Sequence, residues 1–245
     1  NRYNIILKAR QLGISTLSAG YSLWLMLFHN DKNVLVIATG KDTAKNLVTK
    51  VRVMYEGLPQ WLKTNTEEIN KLSLRFKNGS QIKAIASNES AGRSEALSLL
   101  IIDEAAFIDR IDTIWTAAQQ TLATGGGCIA LSTPNGVGNW FHKQWMGAEE
   151  GTNEFNTIRL HWTDHPDRTE KWRKEQDKIL GPSQAAQECD TDFLSSGQSV
   201  VDPQILQWYK DELTEAPIEE LGIDRGMWVF RQPDYTKEYI VVADV

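Results

Sequence analysis

Short runs of aliphatic residues recur along the first two thirds of the chain, separated by turns and by longer segments. The clearest are NIIL at Asn4–Leu7, NVLVIAT at Asn33–Thr39, LLII at Leu99–Ile102 and CIAL at Cys128–Leu131. An unbroken run of this kind is typical of a strand buried on both faces, as in a parallel sheet. Because helical segments alternate with these runs, the pattern predicts an α/β fold with a mostly parallel sheet.

The segments between these runs have the composition or the spacing of helices. Leu17–Phe28 has the composition and length of a buried helix, and Lys41–Tyr55 and Ile111–Leu122 repeat their apolar residues at helical spacing. Residues 73–86 carry the dipeptide Asn78-Gly79 between two strand-like stretches. Since Asn-Gly favours a tight turn and the outward residues are polar, we expect a β-hairpin at the edge of the sheet.

The character of the sequence changes after Pro166. Arg168–Leu180 is a charged amphipathic segment, and Gln184–Phe193 has a second helical pattern. Residues 214–226 are acidic and have the composition of a linker, and the final YIVVADV has a strand pattern. We therefore predict a core over residues 1–165, a small helical lid and linker subdomain over 166–226, and the truncated start of a further domain over 227–245.

Composition and charge limit the classes of function. The chain has 245 residues, of which 41% are hydrophobic and 24% charged, enough for one large α/β domain with a smaller appendage. No apolar run approaches the roughly 20 residues that span a bilayer, and two distant cysteines argue against disulfides or zinc. With a net charge of −6, any contact with nucleic acid must be local. Since the chain begins at Asn1 and ends in an apolar run, we interpret it as an interior fragment.

The segment KARQLGIST at Lys8–Thr16 lies between a predicted strand and a predicted helix. This layout is typical of a phosphate-binding loop, in which backbone amides and a helix N-terminus attract an anion. Against the pattern G-x-x-x-x-G-K-[ST], Gly13 and Ser15 fit, whereas Lys8 replaces the first glycine and Ile14 replaces the lysine. On this pattern alone, a strand, turn and helix that bind nothing is an equal alternative.

Several cations and histidines lie near the predicted strand ends. Lys8 and Arg10 precede the glycine and could reach a phosphate from the strand side of the loop. Arg93 lies in a loop of small residues directly before the acidic strand, where a solvated arginine is the commoner explanation. His161 and His165 suggest a metal, but their place at a strand-to-loop exit favours a structural role.

Polar clusters end two of the predicted core strands. Asp103 and Glu104 follow the LLII run, and the sequence STPNG at Ser132–Gly136 follows CIAL. In open α/β folds, ligands bind beyond the carboxyl ends of the strands. Adjacent acids there suit a pair in which the first holds Mg²⁺ and the second polarises water for attack on a phosphate. A strand that ends at a solvated acidic turn is an equal alternative for the acids considered alone.

Three segments, RQLGIST, LLIIDEAAFI and ALSTPNG, occur in the order expected of a nucleotide hydrolase. Together they resemble the deviant Walker A, the Walker B and the coupling motif of tailed-phage terminase large subunits. QAAQECDTDFLSSG is similar to the family's post-core subdomain, and KEYIVVADV is similar to the first strand of its nuclease. The resemblance covers the whole chain. It implies a RecA-like P-loop NTPase core of the ASCE type, followed by a small helical lid and an RNase-H-like nuclease domain.

The resemblance also implies an activity and partners. A protein of this family would hydrolyse ATP with Mg²⁺ to move viral double-stranded DNA into a procapsid, and its full-length form would also be an endonuclease. Its partners would be double-stranded DNA, the portal protein, the terminase small subunit and further copies of itself in a ring. It would act in the cytoplasm of the infected bacterial host, without a membrane.

The family's phosphate loop carries over by position. Lys8 and Arg10 would contact the phosphates. The rest of the loop would contribute to the same site through Gln11, Leu12, Gly13, Ile14, Ser15 and Thr16. Ile14 departs from members that keep the Walker lysine there and resembles members that move the cation upstream. Which of Lys8 and Arg10 contacts the γ-phosphate is therefore open at this point.

The catalytic, metal and coupling residues carry over in the same way. Ser15 and Asp103 would hold Mg²⁺, and Glu104 would activate the attacking water. Arg93 matches the arginine that relatives offer to a neighbouring subunit's nucleotide, and Asp244 matches a metal-binding acid of the nuclease. The residues that would couple hydrolysis to movement are Ser132, Thr133, Pro134, Asn135 and Gly136.

Two other functions compete with this interpretation. A superfamily-2-like helicase would normally carry a second RecA-like domain after about Leu160, where this chain turns to helical segments instead. A nucleotide-binding module without turnover would not need the second carboxylate, Glu104. Comparison of steady-state ATP hydrolysis between the native chain and Glu104→Gln distinguishes these alternatives.

Overall fold

The computed structural model describes residues 1–87, 96–193, 205, 208–209, 212–213, 215–221, 227–232, 234 and 236. The chain divides into two compact units, Asn1–Ser199 and Val200–Val245. In the second unit, Glu219–Leu221 and Met227–Val229 pair as a two-stranded antiparallel sheet. All other elements described below belong to the first unit. Among the described residues, no helix combines the length and the apolar composition needed to cross a bilayer.

An eight-stranded sheet forms the centre of the first unit, with strand order β3-β4-β5-β2-β6-β7-β1-β8. The strands are β1 Tyr3–Lys8, β2 Asn33–Ala38, β3 Thr66–Ile69, β4 Ser73–Phe76, β5 Gln81–Ala86, β6 Leu99–Asp103, β7 Gly127–Ser132 and β8 Phe155–Leu160. From β5 to β8 every neighbouring pair is parallel. The predicted α/β fold with a mostly parallel sheet is therefore confirmed.

The predicted hairpin is present, but it does not form the edge of the sheet. β4 and β5 are antiparallel, and Gly79 in their turn has a φ of +82°, a conformation that favours glycine. β5 also pairs with β2, and β4 pairs with β3. The edge prediction was wrong because β3, with the sequence TEEI, has no apolar alternation that would reveal a strand.

Helices cover both faces of the sheet. They are α1 Ile14–Phe28, α2 Lys41–Glu56, α3 Ile111–Leu122 and α4 Trp140–Glu149. Apolar side chains of α1 and α2 pack with one face of the strands, and those of α3 and α4 pack with the other. The periodicity of α2 and α3 therefore predicted their buried faces correctly.

The helix predicted at Leu17–Phe28 is present within α1, but it is not buried on all sides. Leu17, Tyr21, Trp24 and Phe28 are 68%, 44%, 47% and 57% exposed. Because these residues recur at three- and four-residue intervals, they share one side of α1, and Ala19, Leu23 and Met26 face the core from the other. High apolar content alone did not distinguish a helix buried all round from one with an exposed apolar side.

The segment after the sheet packs against the strand ends. It contains α5 Glu170–Leu180, the short α6 Pro182–Ala185 and a π-helical turn at Ala186–Asp190. Beyond the turn, the ring of Phe193 lies 4.9 Å from that of His142, measured between centroids. The two helical segments predicted after Pro166 are thus present. Division of the chain at residues 165 and 226 stays a prediction.

Candidate nucleotide-binding site

Three strand ends bring the predicted site residues together. β6, β7 and β1 are neighbours in the sheet and run parallel, so their carboxyl ends meet at one edge. Lys8 ends β1, Asp103 ends β6 and Ser132 ends β7. Residues that lie far apart in the sequence therefore share one edge, which is where open α/β folds bind ligands.

The loop between β1 and α1 has the backbone of an anion-binding turn. Gln11 has a φ of 59°, and Gly13, the N-cap of α1, has φ 79° and ψ 2°. Because α1 begins at Ile14, Ser15 and Thr16 lie in its first turn, where amide groups and the helix dipole favour a negative charge. Leu12 instead packs in a small apolar cluster with Ala9. Its side chain therefore has a packing role.

A buried lysine pairs with the second acid of the site. The Lys8 ammonium is 3.3 Å from Oε1 of Glu104, and Lys8 is only 5% exposed. Glu104 has a φ of 55°, a left-handed conformation that is uncommon outside glycine. Residues in such conformations cluster at functional sites, because the surrounding structure must stabilise them.

The first acid is held next to the phosphate loop. Oδ1 of Asp103 accepts hydrogen bonds from the Ser15 hydroxyl at 3.4 Å and from the Glu104 N–H at 3.1 Å. Burial raises the pKa of Asp103, and the nearby Glu104 carboxylate raises that pKa further. Lys8 and the Ser15 hydrogen bond act in the opposite direction without cancelling the rise.

The residues predicted to couple hydrolysis to movement join β7 to the loop after β6. The Ser132 hydroxyl accepts a hydrogen bond from the Ala106 N–H at 3.2 Å, and the Asn135 amide donates to the Ala106 carbonyl at 3.1 Å. The Asn139 side chain donates to the Asn135 carbonyl at 2.8 Å and so fixes the turn. The Ser132–Gly136 segment is thus hydrogen-bonded to the acidic loop, and its coupling role stays a prediction. Thr133 and Pro134 are buried within that segment.

A cavity of about 400 Å³ opens at this edge of the sheet. It is lined by Arg10, Thr39, Thr43, Glu104, Phe107, Thr133 and Glu188. The sequence prediction included Arg10, Glu104 and Thr133. Thr39 follows β2 in the sequence, so its place at a strand end was a usable signal. The place of Glu188 in the cavity could not be predicted from the sequence, because it depends on how the segment after the sheet folds back onto the strand ends.

Arg10 forms an ion pair with Glu188. Its Nη1 lies 2.8 Å from Oε1 of Glu188, and its own side chain is 65% exposed. Its neighbour Lys8 is buried and pairs with Glu104. The two cations of the loop thus have different surroundings. Arg93 and Asp244, the other predicted charged site residues, lie outside the described residues.

The histidines after β8 have structural contacts. Nδ1 of His161 lies 3.0 Å from the Thr163 hydroxyl, and Nδ1 of His165 accepts a hydrogen bond from the Asp167 N–H at 3.2 Å. Within the described ranges, no group of three or more histidine, cysteine or carboxylate side chains is placed to hold a metal ion.

The donor set at Ser15 and Asp103 fits Mg²⁺. The hydroxyl of Ser15 and a carboxylate oxygen of Asp103 lie 3.4 Å apart. Mg²⁺ prefers hard oxygen ligands and is usually bound by one or two protein groups, phosphates and water. A buried carboxylate with a raised pKa also gains most from a nearby cation.

The mostly parallel sheet with helices on both faces has the RecA-like ASCE fold. Residues 5–208 match the family model for the N-terminal part of the T4-like terminase large subunit. The chain belongs to that family, and the helicase interpretation is set aside.

Individual relatives agree with the family assignment. The terminase large subunit of Thermus phage G20c is 25% identical over 252 residues, covering 88% of this chain and 51% of the relative. A probable terminase large subunit, gp28, of Escherichia phage Mu is 26% identical over 168 residues, covering 62% of this chain and 30% of the relative. The chain therefore spans about half the length of these curated relatives or less.

Solved structures show the same fold. The large terminase ATPase domain of Thermus phage P74-26 has a TM-score of 0.63 and 22% identity, covering 78% of this chain and 88% of that domain. A large terminase from a thermophilic bacteriophage, solved in complex with ADP, has a TM-score of 0.60 and 13% identity, covering 77% of this chain and 47% of that protein. At these identities the likeness shows the fold.

Proposed function

We propose that this chain hydrolyses ATP and that the hydrolysis drives movement of double-stranded DNA into a viral procapsid. The observation that carries the proposal is the grouping of two adjacent acids, a buried lysine and a glycine loop at one sheet edge. Phosphoryl transfer requires groups that bind phosphates, a metal ion and a water molecule. The ammonium and amide groups suit the phosphates, and the carboxylate oxygens suit the metal ion and the water. Membership of the terminase large-subunit family supports the same reaction.

The phosphate-binding role belongs to the loop and its cations. Amides from Gln11 to Thr16 and the N-terminus of α1 would cradle the phosphates. Lys8 is fixed by burial beside the acids, and Arg10 lines the cavity. The thermophilic-phage large terminase that was solved with ADP shares the fold, which supports nucleotide binding here.

Ser15 and Asp103 would hold Mg²⁺. When bound, Mg²⁺ neutralises charge on the β- and γ-phosphates. The buried carboxylate of Asp103 is already oriented by the Ser15 hydroxyl and the Glu104 amide, so little rearrangement is needed to bind a cation.

Glu104 would act as the general base. Its carboxylate now pairs with Lys8 and lines the cavity. A phosphate oxygen next to Lys8 would compete for the ammonium group and release the carboxylate. The released carboxylate would then orient a water molecule and accept its proton as the water oxygen bonds to the γ-phosphorus. The bond between that phosphorus and the oxygen that leaves with ADP breaks in the same step.

The first prediction is that Glu104→Gln slows turnover strongly while nucleotide binding survives. Glutamine keeps the size and the hydrogen-bonding capacity but cannot accept the proton, so kcat should fall about 10²- to 10⁴-fold. Steady-state ATP hydrolysis by the assembled motor and equilibrium binding of a fluorescent ATP analogue measure the two effects.

Asp109→Asn provides a matched control. It removes the same charge from an exposed position on the same loop, and its hydrolysis rate should stay within a few-fold of the native rate. If Glu104→Gln also hydrolyses ATP within a few-fold of the native protein, the assignment of Glu104 is wrong.

The wider roles of the full-length protein are also proposals. Arg93 would supply charge to the nucleotide of a neighbouring subunit in a homo-oligomeric ring. Asp244 would bind a catalytic metal in the nuclease of the full-length protein, because two-metal cleavage needs a cluster of carboxylates. The portal protein, the terminase small subunit and double-stranded DNA would be its partners, in the cytoplasm of the infected host. Family membership supports these roles.

A further inference from the structure

The π-helical turn at Ala186–Asp190 contacts the phosphate loop through Glu188. The Arg10 N–H donates to the Glu188 carbonyl at 2.7 Å, and the Arg10 guanidinium donates to the Glu188 carboxylate at 2.8 Å. Arg10 is therefore held to Glu188 by its backbone and by its side chain. The two residues are 178 positions apart in the sequence.

The preceding residue of the same turn reaches a second loop of the site. The Gln187 side-chain amide lies 3.5 Å from Oδ1 of Asn135. Asn135 in turn donates to the Ala106 carbonyl in the loop that follows Asp103 and Glu104. Two consecutive residues of the π-helical turn thus contact the phosphate loop and the segment that is bonded to the acidic loop.

The backbone of this turn is unusual. Single π-helical turns are rare and occur mostly at functional sites. The turn is followed by Thr191, which has a φ of 52° although it is not glycine and is 2% exposed. A conformation of this kind persists only where the surroundings stabilise it. Loss of one stabilising contact can therefore change the conformation of the turn.

Two arginines connect the segment that precedes the turn to the turn and to the phosphate loop. Arg173 on α5 donates to both carboxylate oxygens of Asp190, at 2.7 and 2.6 Å. Arg168 donates to the Arg10 carbonyl at 2.8 Å, and its guanidinium lies 4.5 Å from the Trp172 ring centroid. These contacts join α5 to the turn, and the residues before α5 to the phosphate loop. Glu188, in contrast, lines the cavity together with Arg10.

We propose that Glu188 is the counter-ion that Arg10 releases when phosphate binds, so that the π-helical turn responds to nucleotide. The proposal rests on the proposed function, because it requires a nucleoside triphosphate in this cavity. A guanidinium binds phosphate as readily as carboxylate, so the incoming anion competes with Glu188. The carboxylate lies 2.8 Å from the group that would bind phosphate, and it therefore also repels the anion.

The proposal predicts whether Glu188→Gln raises or lowers the affinity for nucleotide. Loss of the competing charge should tighten binding of a fluorescent ATP analogue about two- to fivefold, the range for a partly exposed ion pair. Glu175→Gln, which removes an exposed carboxylate from α5, should leave affinity unchanged. If Glu188 only positioned Arg10 for phosphate, Glu188→Gln would weaken binding instead. Unchanged or weaker binding would overturn the inference alone. A native protein that binds no nucleotide would overturn the proposed function and this inference together.

Cys189 offers a second readout that does not depend on affinity. The chain has two cysteines. Cys189 is 3% exposed and directly follows Glu188, and Cys128 is fully buried in β7. Release of the turn should increase the rate of thiol alkylation at Cys189, followed by peptide mass spectrometry, when ATPγS is added. Cys128 serves as the internal control, and its rate should not change.

The same experiment on Glu188→Gln separates release from misfolding. This variant should label faster at Cys189 without nucleotide and show a smaller response to ATPγS, while Cys128 stays protected. Rapid labelling of Cys128 in Glu188→Gln would indicate that this variant unfolds globally. Nucleotide affinity would then be measured for Glu188→Asp, beside the native chain and Glu175→Gln. Glu188→Asp keeps the charge and should bind nucleotide like the native chain. Protection of Cys189 by ATPγS in the native protein would overturn the inference.

Discussion

Asp103 is a buried carboxylate whose ionised form the protein does not favour. Its pKa is raised, with burial as the largest cause and the adjacent Glu104 as the next. The ammonium of Lys8 and the hydroxyl of Ser15 compensate only in part. A raised pKa means that keeping the carboxylate charged lowers stability at neutral pH. The charged carboxylate of Asp103 therefore lowers the free energy of unfolding, and a bound cation would stabilise that charge.

We predict that Asp103→Asn makes the nucleotide-free protein more stable at pH 7 and abolishes Mg²⁺-dependent nucleotide binding. Asparagine can still accept from Ser15 and from the Glu104 amide, so the loop should keep its conformation. A rise in Tm is expected, and each 1 kcal/mol of added stability shifts Tm by about 2–4 °C in a domain of this size.

The pH dependence of this difference follows from the sign of the shift. The pKa of Asp103 is higher in the folded state than in the unfolded state. At pH values between these two pKa values, the folded state therefore binds the proton more tightly than the unfolded state does. The native protein therefore loses stability relative to Asp103→Asn as the pH rises from about 3.8 through the raised pKa. Thermal melts of both proteins across that range test it. An Asp103→Asn protein that is less stable at pH 7 would contradict this account.

Residue types and their spacing predicted much of the site. Asp103, Glu104 and Ser15 converge because strand ends of a parallel sheet converge, and that follows from sequence pattern alone. The side chain of Leu12 packs in an apolar cluster, so the contribution predicted for this residue at the phosphate site is that of its backbone amide. Glu188 could not be predicted, because its place beside Arg10 depends on the return of a distant segment.

The turn into α1 depends on a glycine that no other residue replaces without strain. Gly13 has a φ of 79°, although a Cβ there would meet no atom within 4 Å. The objection to a side chain at this position is therefore backbone conformation, since a left-handed residue costs about 1–2 kcal/mol when it carries a Cβ. Gly40, which precedes α2, offers a comparison. A Cβ there would also meet no atom within 4 Å, but its φ of −143° is one that any residue can adopt.

We predict that Gly13→Ala lowers the free energy of unfolding by about 1 kcal/mol and weakens nucleotide binding, because the loop relaxes away from its anion-binding shape. Gly40→Ala should be neutral or slightly stabilising, since alanine there reduces the freedom of the unfolded chain. Urea denaturation and nucleotide titration of both variants provide the measurement. Equal stability losses in the two variants would rule out a special role for the Gly13 conformation.

Elements with a strong pattern were predictable, and those without one were not. The aliphatic strands β1, β2, β6 and β7 and the amphipathic helices α2 and α3 follow from periodicity. β3 is charged, and pairing with β4 makes it a strand. The π-helical turn is fixed by contacts with Arg10 and Arg173. Tertiary contacts determine such elements, and local sequence carries little information about them.

For the assembled protein, we predict that subunits with different defects complement each other. Arg93→Ala alone should reduce hydrolysis by the ring about 10³- to 10⁵-fold, the range for an arginine supplied in trans. A ring that mixes Arg93→Ala with Glu104→Gln places an intact Arg93 next to an intact Glu104 in some neighbouring pairs. Partial recovery of hydrolysis across mixing ratios is therefore expected. No recovery at any ratio would exclude a role for Arg93 in a neighbouring subunit's site.

The position of β1 has a consequence for synthesis of the protein. β1 precedes the other described strands in the sequence, yet it lies between β7 and β8 and pairs with residues 128–132 and 155–160. Until those residues leave the ribosome, Lys8 and the loop that follows have no neighbouring strands. Such distant pairing closes long loops and slows folding, so β1 stays unpaired in the nascent chain until β7 and β8 have been synthesised. The edge of the sheet that carries Lys8, Asp103 and Ser132 is therefore complete only after β7 and β8 have joined β1.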